Sequence, residues 1–275
     1  MIRTLLLLAL VAMPLAVPAA TLTSGDSEST VSDDGLITVW RVEPDGSDNI
    51  FLSGLYLRRD GETSESSLAA ALGLIEEIQD TPDMLRRRYG GNGLDAVVDY
   101  RLTGGPEGSR SAILSRSVTL TNTADTPISL TLFDYTDLDI RFNPQDQLDQ
   151  ATLIAPGVIE TVSANSPIVI TTTVTPTPDA HQITDFLTLY FAFFLDQDGP
   201  TALTDTPALG EPFPVPAGDN AFAFEWGFDL AAGESVTVSQ TSVLAPVPLP
   251  AAAALLLSGL GAFAALRGRG RRTMA

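Results

Sequence analysis

Alternation of apolar and polar residues runs through the middle of the chain and predicts short β-strands. The segments that alternate, or that are rich in β-branched and aromatic residues, are 36–42, 50–57, 96–102, 112–120, 128–133, 168–174, 186–195, 221–230 and 235–244. Pro, Gly, Asn and Asp, which favour turns, lie between them. About eight or nine strands with turn-rich connections predict an all-β fold, an antiparallel β-sandwich.

One segment of the body, 64–79, has helical periodicity instead. Ser64 can cap its N-terminus, and four apolar residues follow at helical spacing: Leu68, Leu72, Ile75 and Ile78. We therefore predict one short helix there. The stretch 20–35 is rich in Ser, Asp and Thr, and we predict that it is a flexible lead-in to the body.

The first 19 residues have the pattern of a secretory signal peptide. Arg3 provides a positive start, 5–11 is apolar, and Val17, Pro18 and Ala19 form a cleavage site of small residues. We predict a signal helix that is removed after Ala19. The exported body then spans 20–246.

A second apolar run, 251–266, lies near the end of the chain. Its 16 residues would span roughly 24 Å as a helix, slightly less than the 30 Å or so of a membrane core. Pro248 and Pro250 prevent the helix from extending upstream, and an Arg-rich tail follows the run. These features predict a transmembrane helix with a cytoplasmic tail and an external body.

The junction between body and helix carries a specific motif, formed by Val247, Pro248, Leu249, Pro250 and Ala251. Together with the Leu-rich run and the terminal arginines, it resembles the VPLPA-type variant of the PEP-CTERM sorting signals. The resemblance implies that 247–275 is recognised by an exosortase-type membrane protease after export by the secretion machinery. The body would then pass from a transient inner-membrane anchor to the cell surface or extracellular matrix. The residues alone also allow an uncleaved anchor that carries an interaction domain.

Longer patterns in the body resemble a group of uncharacterised exported bacterial proteins that are rich in β-structure. They lie around Trp40, Arg58, Asn122, 134–139 and 226–239. This resemblance implies a β-rich fold and no particular activity.

Charge and composition exclude several classes of function. Five of the 15 basic residues lie in the two terminal signals, which leaves 10 against 34 acidic residues and a charge near −24 on the body. Such a surface repels nucleic acid. The absence of Cys excludes disulfides and thiolate chemistry, and the absence of Lys excludes a P-loop or a Schiff base.

No catalytic or cofactor-binding residue is predicted. The single histidine, His181, lies in a polar stretch that predicts a solvated loop, and the chain has no G-x-S-x-G motif. We therefore predict a non-enzymatic protein with a structural or glycan-associated role, for which exopolysaccharide is a possible partner. The alternative is a secreted polysaccharide hydrolase that uses a pair of carboxylates.

A cluster of carboxylates follows one strand and is the best candidate for a metal site. Asp134, Asp137 and Asp139 lie close together in sequence, with Asp146 and Asp149 downstream. Ca²⁺ prefers several oxygen ligands on an adjustable turn, so a calcium site is one interpretation. A solvated acidic rim is the other, and the lack of an EF-hand pattern favours it.

The two tryptophans and a run of three arginines each have a structural and a functional interpretation. Trp40 and Trp226 could form a platform for a sugar, but in alternating strands they are more typical of a buried core. The run 86–88 of three arginines could bind an anionic sugar, but it more often neutralises neighbouring carboxylates.

Overall fold

The computed structural model describes residues 19–247 except 44–45, 141–148, 164–165, 196–199 and 214–218. These residues form two antiparallel β-sheets packed face to face, which confirms the predicted sandwich. The strands are β1 (Ala20–Ser24), β2 (Ser27–Val31), β3 (Ile37–Val42), β4 (Leu52–Arg59), β5 (Ser66–Ser67), β6 (Gly73–Thr81), β7 (Met84–Gly91), β8 (Leu94–Gly104), β9 (Ala112–Asn122), β10 (Ile128–Asp137), β11 (Asp149–Ala155), β12 (Val158–Ser163), β13 (Ile168–Thr175), β14 (Ala180–Asp185), β15 (Asn220–Leu230) and β16 (Ser235–Pro246). The helices are α1 (Leu68–Ala71) and α2 (Phe186–Tyr190), and a π-helical turn, Phe191–Leu195, continues α2.

The two sheets mix strands that are distant in sequence. Sheet I has the order β1-β2-β3-β4-β10-β15-β14, with β5 paired to β4. Sheet II has the order β11-β12-β13-β16-β9-β8-β7-β6. Since β10 lies between β4 and β15, residues from three distant parts of the chain share the centre of sheet I.

Side chains that alternate along the strands fill the space between the sheets. Trp40 and Trp226 are fully buried, as are Phe222 and Phe224, which confirms the prediction of a tryptophan-containing core. The three adjacent arginines lie on β7 and pair with carboxylates of the neighbouring strands, as the structural interpretation predicted: Arg86 with Asp99 at 2.6 Å, Arg87 with Glu77 at 2.7 Å and Arg88 with Asp95 at 2.5 Å.

Two of the predictions for the N-terminal part are wrong. The stretch 20–35 is not a flexible lead-in, because β1 and β2 pair within it and bury Leu22 and Val31 in the core. The segment 64–79 is helical only over α1, where the Ser67 hydroxyl caps the helix. From Gly73 onward the chain pairs with β7 as an edge strand, and Ile75 is exposed rather than part of a helical apolar face.

The predicted strand at 186–195 is also wrong, since this segment forms α2 and the π-helical turn. Asp185 starts the helix by accepting hydrogen bonds from Thr188 N at 3.1 Å and Thr188 Oγ1 at 2.7 Å. The segment is apolar throughout, so its periodicity did not distinguish a strand from a helix.

The alternating segments on either side of residues 123–126 predict a hairpin. They form β9 and β10, but these two strands belong to different sheets. Asn122 stabilises the connection by which the chain passes from one sheet to the other. Its Nδ2 donates to Thr126 O at 2.8 Å and to Leu230 O at 2.9 Å, while its Oδ1 accepts from Ala124 N at 2.9 Å.

Most of both predicted terminal signals lies outside the described residues. Ala19 is exposed and directly precedes β1. At the other end, β16 stops at Pro246, and Val247 N donates to Pro167 O at 2.6 Å. Within the described ranges, no helix is both long enough and apolar enough to span a membrane.

Candidate functional site

The outer face of sheet I, which points away from sheet II, carries a layer of aromatic side chains at its centre. Tyr56 of β4 and Phe133 of β10 are paired in register, and Tyr135 lies two residues further along β10. Phe193 of the π-helical turn covers all three, with ring centroids 5.1 to 5.7 Å from theirs. Polar side chains lie on this face on both sides of the aromatic layer.

Arg58 lies at one end of the layer and is held in a defined position. Its guanidinium stands 5.3 Å from the centroid of the Phe133 ring. It also donates to the Glu65 carboxylate and, at 2.6 Å, to Thr201 O. The Glu65 side chain is completely buried and accepts two further hydrogen bonds of 2.9 Å from Thr201. These contacts fix the position of the Arg58 guanidinium, and 17% of the side chain remains exposed.

Glu225 lies on β15, on the same outer face and near Arg58. Its Oε2 accepts a hydrogen bond from Leu203 N at 3.3 Å. Burial raises the pKa of Glu225, and the hydrogen bond from Leu203 and the charge of Arg58 oppose this rise. A carboxyl group with a raised pKa keeps its proton to higher pH than an exposed one does, which suits it to exchanging a proton with a bound ligand.

A cavity of about 430 Å³ opens beside Arg58, and Glu225 is not among its lining residues. Arg58 lines it together with polar groups of β10 and β15, among them Thr131, Ser129 and Asp229. Gly227 also lines it, two residues beyond Glu225, and the absence of a side chain there leaves room. The cavity has the size of a small-molecule site, and its polar lining suits a ligand with many hydroxyl groups.

A cluster of carboxylates lies at the other end of the aromatic layer. Asp137, Asp139 and Asp219 each offer an oxygen, these oxygens lie within 4.8 Å of one another, and they could hold a metal ion. Asp149 at the start of β11 is also close, because its Oδ2 accepts from Ile140 N at 2.9 Å. Burial and the mutual repulsion of these carboxylates raise the pKa of Asp137 to about 9 and of Asp149 to about 8.

The structure separates the three residues that the sequence grouped as a metal site. Asp137 and Asp139 belong to the cluster, but Asp134 points between the sheets, because residues three apart on a strand face opposite sides. There Asp134 Oδ1 accepts from Arg116 Nη2 at 2.6 Å. Asp146 lies outside the described residues.

His181 is not the solvated loop residue that the sequence predicted. It lies on β14, and only 15% of its side chain is exposed. Its Nδ1 is 3.1 Å from Asp205 Oδ1, and its Nε2 is 3.1 Å from Pro207 O. Both ring nitrogens are therefore engaged locally.

Sequence reasoning missed Arg58, Glu65 and Glu225 as members of one site, and it missed Asp219 and Asn220 beside the acidic cluster. One signal was available. Glu225 is the one charged residue in the run 221–228, a position where charge requires a partner.

Solved structures of carbohydrate-related proteins share this fold. A protein assigned as an aldose 1-epimerase from Escherichia coli K12 is 13% identical, with a TM-score of 0.51 over 83% of this chain and 99% of its own. A bacterial glucoamylase in complex with acarbose is 9% identical, with a TM-score of 0.53 over 83% of this chain and 32% of its own. A galactose mutarotase-like protein from Lactobacillus casei ATCC 334 is 9% identical, with a TM-score of 0.50 over 82% of this chain and 99% of its own.

No protein-family model matches the chain, and no curated protein sequence matches it significantly. At such low identities the structural similarity shows the fold alone. It nevertheless overturns the prediction that the body is not an enzyme, because that prediction rested on the absence of familiar catalytic motifs, and the fold is one found in carbohydrate-active proteins.

Proposed function

We propose that this protein is an exported carbohydrate-active protein that binds a sugar unit in the cavity lined by Arg58, from which the sugar extends along β15 to Glu225. The observation that carries the proposal is that Arg58, a fixed guanidinium near the carboxyl group of Glu225 with its raised pKa, lines a polar cavity. The fold shared with the epimerase-type and glucoamylase structures supports a saccharide as the ligand.

In this proposal, Glu225 transfers a proton to or from a sugar oxygen at the anomeric centre. Arg58 stabilises negative charge on the sugar, since its guanidinium is a cation whose position is already set by Glu65 and Thr201. Glu65 is a positioning residue, because its side chain is completely buried. The backbone and side chains of the cavity orient the hydroxyl groups of the sugar.

The test compares the full chain, purified in detergent, with its Glu225→Gln variant. Mutarotation of α-D-glucose and α-D-galactose is followed by polarimetry, and release of reducing ends is measured on exopolysaccharide from the producing cells. We expect one of these activities, and we expect Glu225→Gln to reduce it by at least about 100-fold. Glu160→Gln, which changes a partly exposed carboxylate of sheet II, is the matched control. Equal rates in wild type and Glu225→Gln, or no activity on any of these saccharides, would contradict the proposal.

We also propose that the body reaches its site of action through the VPLPA-like signal, with an exosortase-type protease as its processing partner. The end of β16 at Pro246 supports this, because cleavage within the motif would remove no strand of the sandwich. Peptide mass spectrometry of the mature protein tests the proposal. A C-terminus near Val247 is expected, whereas an intact end at Ala275 would favour a plain membrane anchor.

For the acidic cluster we propose calcium as the ion. All available donors of Asp137, Asp139 and Asp219 are carboxylate oxygens, which Ca²⁺ prefers and which suit softer metals less well.

A further inference from the structure

One corner of the outer face of sheet II is apolar. This face points away from sheet I, and strand alternation places Val243 and Ala245 of β16 on it, followed by Val247 just beyond the strand. Ile113 of β9 lies opposite Val243 in register, and Val169 of β13 lies opposite Ala245. The side chains of Ile113, Val243 and Val247 are 38% to 45% exposed. Because neighbouring exposed apolar side chains are more informative than a single one, we treat these five residues as one surface, the β16 corner.

The β16 corner differs in charge from the rest of the body. A groove of about 220 Å³ runs over it between the end of β8, at Gly104, and the pair formed by Ile113 and Val243, and its lining contains no charged side chain. Arg101 of β8 and Glu160 of β12 are charged residues on the same face, and each lies two strands away from β16. The body as a whole has a large excess of acidic residues, which repels anionic lipids. The groove over the corner carries no such charge.

The corner also lies where the described part of the chain ends. Val247 is the last described residue, and its N donates to Pro167 O at 2.6 Å, which fixes the direction in which the chain leaves sheet II. Only residues 248–250 separate it from the apolar run 251–266. The chain from Val247 to Ala251 can span at most about 14 Å. A membrane that the chain enters at Ala251 therefore begins within this distance of the corner.

We infer that the β16 corner rests on the lipid bilayer while the chain is anchored. The inference rests on the insertion of 251–266 into a membrane, which the proposed sorting signal requires, and it adds a second contact between the protein and the membrane. Ile113 and Val243 insert at the boundary between headgroups and acyl chains, where apolar surface leaves water and no charge of the groove has to be desolvated. The contact holds residues 247–251 at the bilayer surface, within reach of a membrane protease.

The absence of Cys allows a direct test, because a cysteine introduced at one position is the only residue that a thiol reagent labels. Ile113→Cys and Val243→Cys variants of the full chain are labelled with a fluorophore and reconstituted into vesicles of phosphatidylethanolamine, phosphatidylglycerol and nitroxide-labelled lipid. We expect the nitroxide lipid to quench both labels at least about twofold more strongly than a label at Thr237→Cys. Thr237 is the control, because it is exposed on the same face of β16 but lies about 20 Å further along the strand.

A charge placed on the corner provides a second test. In the labelled Val243→Cys chain, Ile113→Asp is expected to lower the quenching by about half or more, because a carboxylate is costly to bring into lipid. Thr119→Asp makes the same change in charge on the same face of β9, opposite Thr237, and is expected to leave the quenching unchanged. Substitutions at such partly exposed positions change stability little, and circular dichroism establishes that each variant is folded.

The outcomes separate this inference from the anchor on which it rests. If the labelled chain does not float with the vesicles, both the anchor and the contact at the corner fail. If the chain floats but the labels at positions 113 and 243 are quenched no more than the label at position 237, the anchor stands and the contact is overturned. The contact is also overturned if spin labels at position 243 of two chains couple while quenching by lipid is absent, since a second copy would then cover the corner.

Discussion

Asp134 and Asp137 lie three residues apart on β10, and the strand directs them into different surroundings. Asp134 enters the space between the sheets, where Arg116 also donates to Ser53 Oγ at 3.1 Å and Gln240 Oε1 at 3.0 Å. Burial raises the pKa of Asp134, and the charge and hydrogen bond of Arg116 oppose the rise. Arg116 therefore favours the ionised form of Asp134, against the effect of burial.

Replacing Arg116 tests this dependence. We expect Arg116→Leu to lower the free energy of unfolding by about 3–5 kcal/mol at pH 8, because it leaves a buried carboxylate without its partner. Without Arg116 the pKa of Asp134 rises further in the folded state, so the folded state binds more protons and stability falls as pH increases. The loss should therefore be smaller at pH 5.

Urea unfolding at both pH values gives the measurement, with Arg101→Gln on the exposed side of β8 as the control. The double variant Arg116→Leu with Asp134→Leu should recover a large part of the loss. A double variant as unstable as Arg116→Leu would show that the ion pair does not account for the effect.

A second prediction at this scale concerns the pH dependence of the saccharide site. Arg58 lowers the pKa of Glu225, so Arg58→Gln should shift the pH midpoint that reports Glu225 upward. The pH profile of kcat/KM measures this shift, and Arg101→Gln should leave the midpoint unchanged. An unshifted midpoint in Arg58→Gln, whatever the loss in rate, would show that Glu225 is not the group that titrates.

Among the elements, α2 and the π-helical turn contribute most to the outer face of sheet I. Phe193 is 4% exposed and contacts three aromatic rings of the sheet, whereas Phe191 on the same turn is 39% exposed. Both residues are phenylalanines of the same turn, so their substitutions form a matched pair.

We expect Phe193→Ala to lower the free energy of unfolding by about 3–5 kcal/mol, because it leaves a cavity over Tyr56, Phe133 and Tyr135. Phe191→Ala should cost less than about 1 kcal/mol. Chemical denaturation of both variants provides the comparison. Similar losses in the two would mean that the turn does not pack on the sheet as described.

The same elements show what the sequence could predict. Strands such as β9, β13 and β16 alternate clearly, because one face is buried and the other is not, and their positions were predicted well. The segment of α2 is apolar on all sides, and α1 is only four residues long, so neither has a periodicity that identifies it. The hairpin β1–β2 was missed because its sequence is mostly polar, and only three apolar residues, Ala20, Leu22 and Val31, anchor it in the core.

For the whole molecule, the sequence predicted the sandwich but not the strand order, and the candidate sites depend on that order. Arg58, Thr131 and Glu225 come together only because β10 lies between β4 and β15. Likewise, Asp149 of β11 and Asp137 of β10 are close enough for their charges to interact although they belong to different sheets. Local patterns contain no information about such long-range pairs, and the grouping of Asp134 with Asp137 failed because nearness in sequence was taken for nearness in space.

The proposed saccharide site lies on the outer face of sheet I, in the cavity lined by Arg58 and near Glu225. A crystal structure of the protein with an oligosaccharide from the exopolysaccharide of the producing cells tests it most directly. We expect a sugar ring in the cavity bordered by Arg58, Thr131 and Gly227, with a ring or glycosidic oxygen within hydrogen-bond distance of Glu225. A sugar bound at another surface while this cavity remains accessible would contradict it.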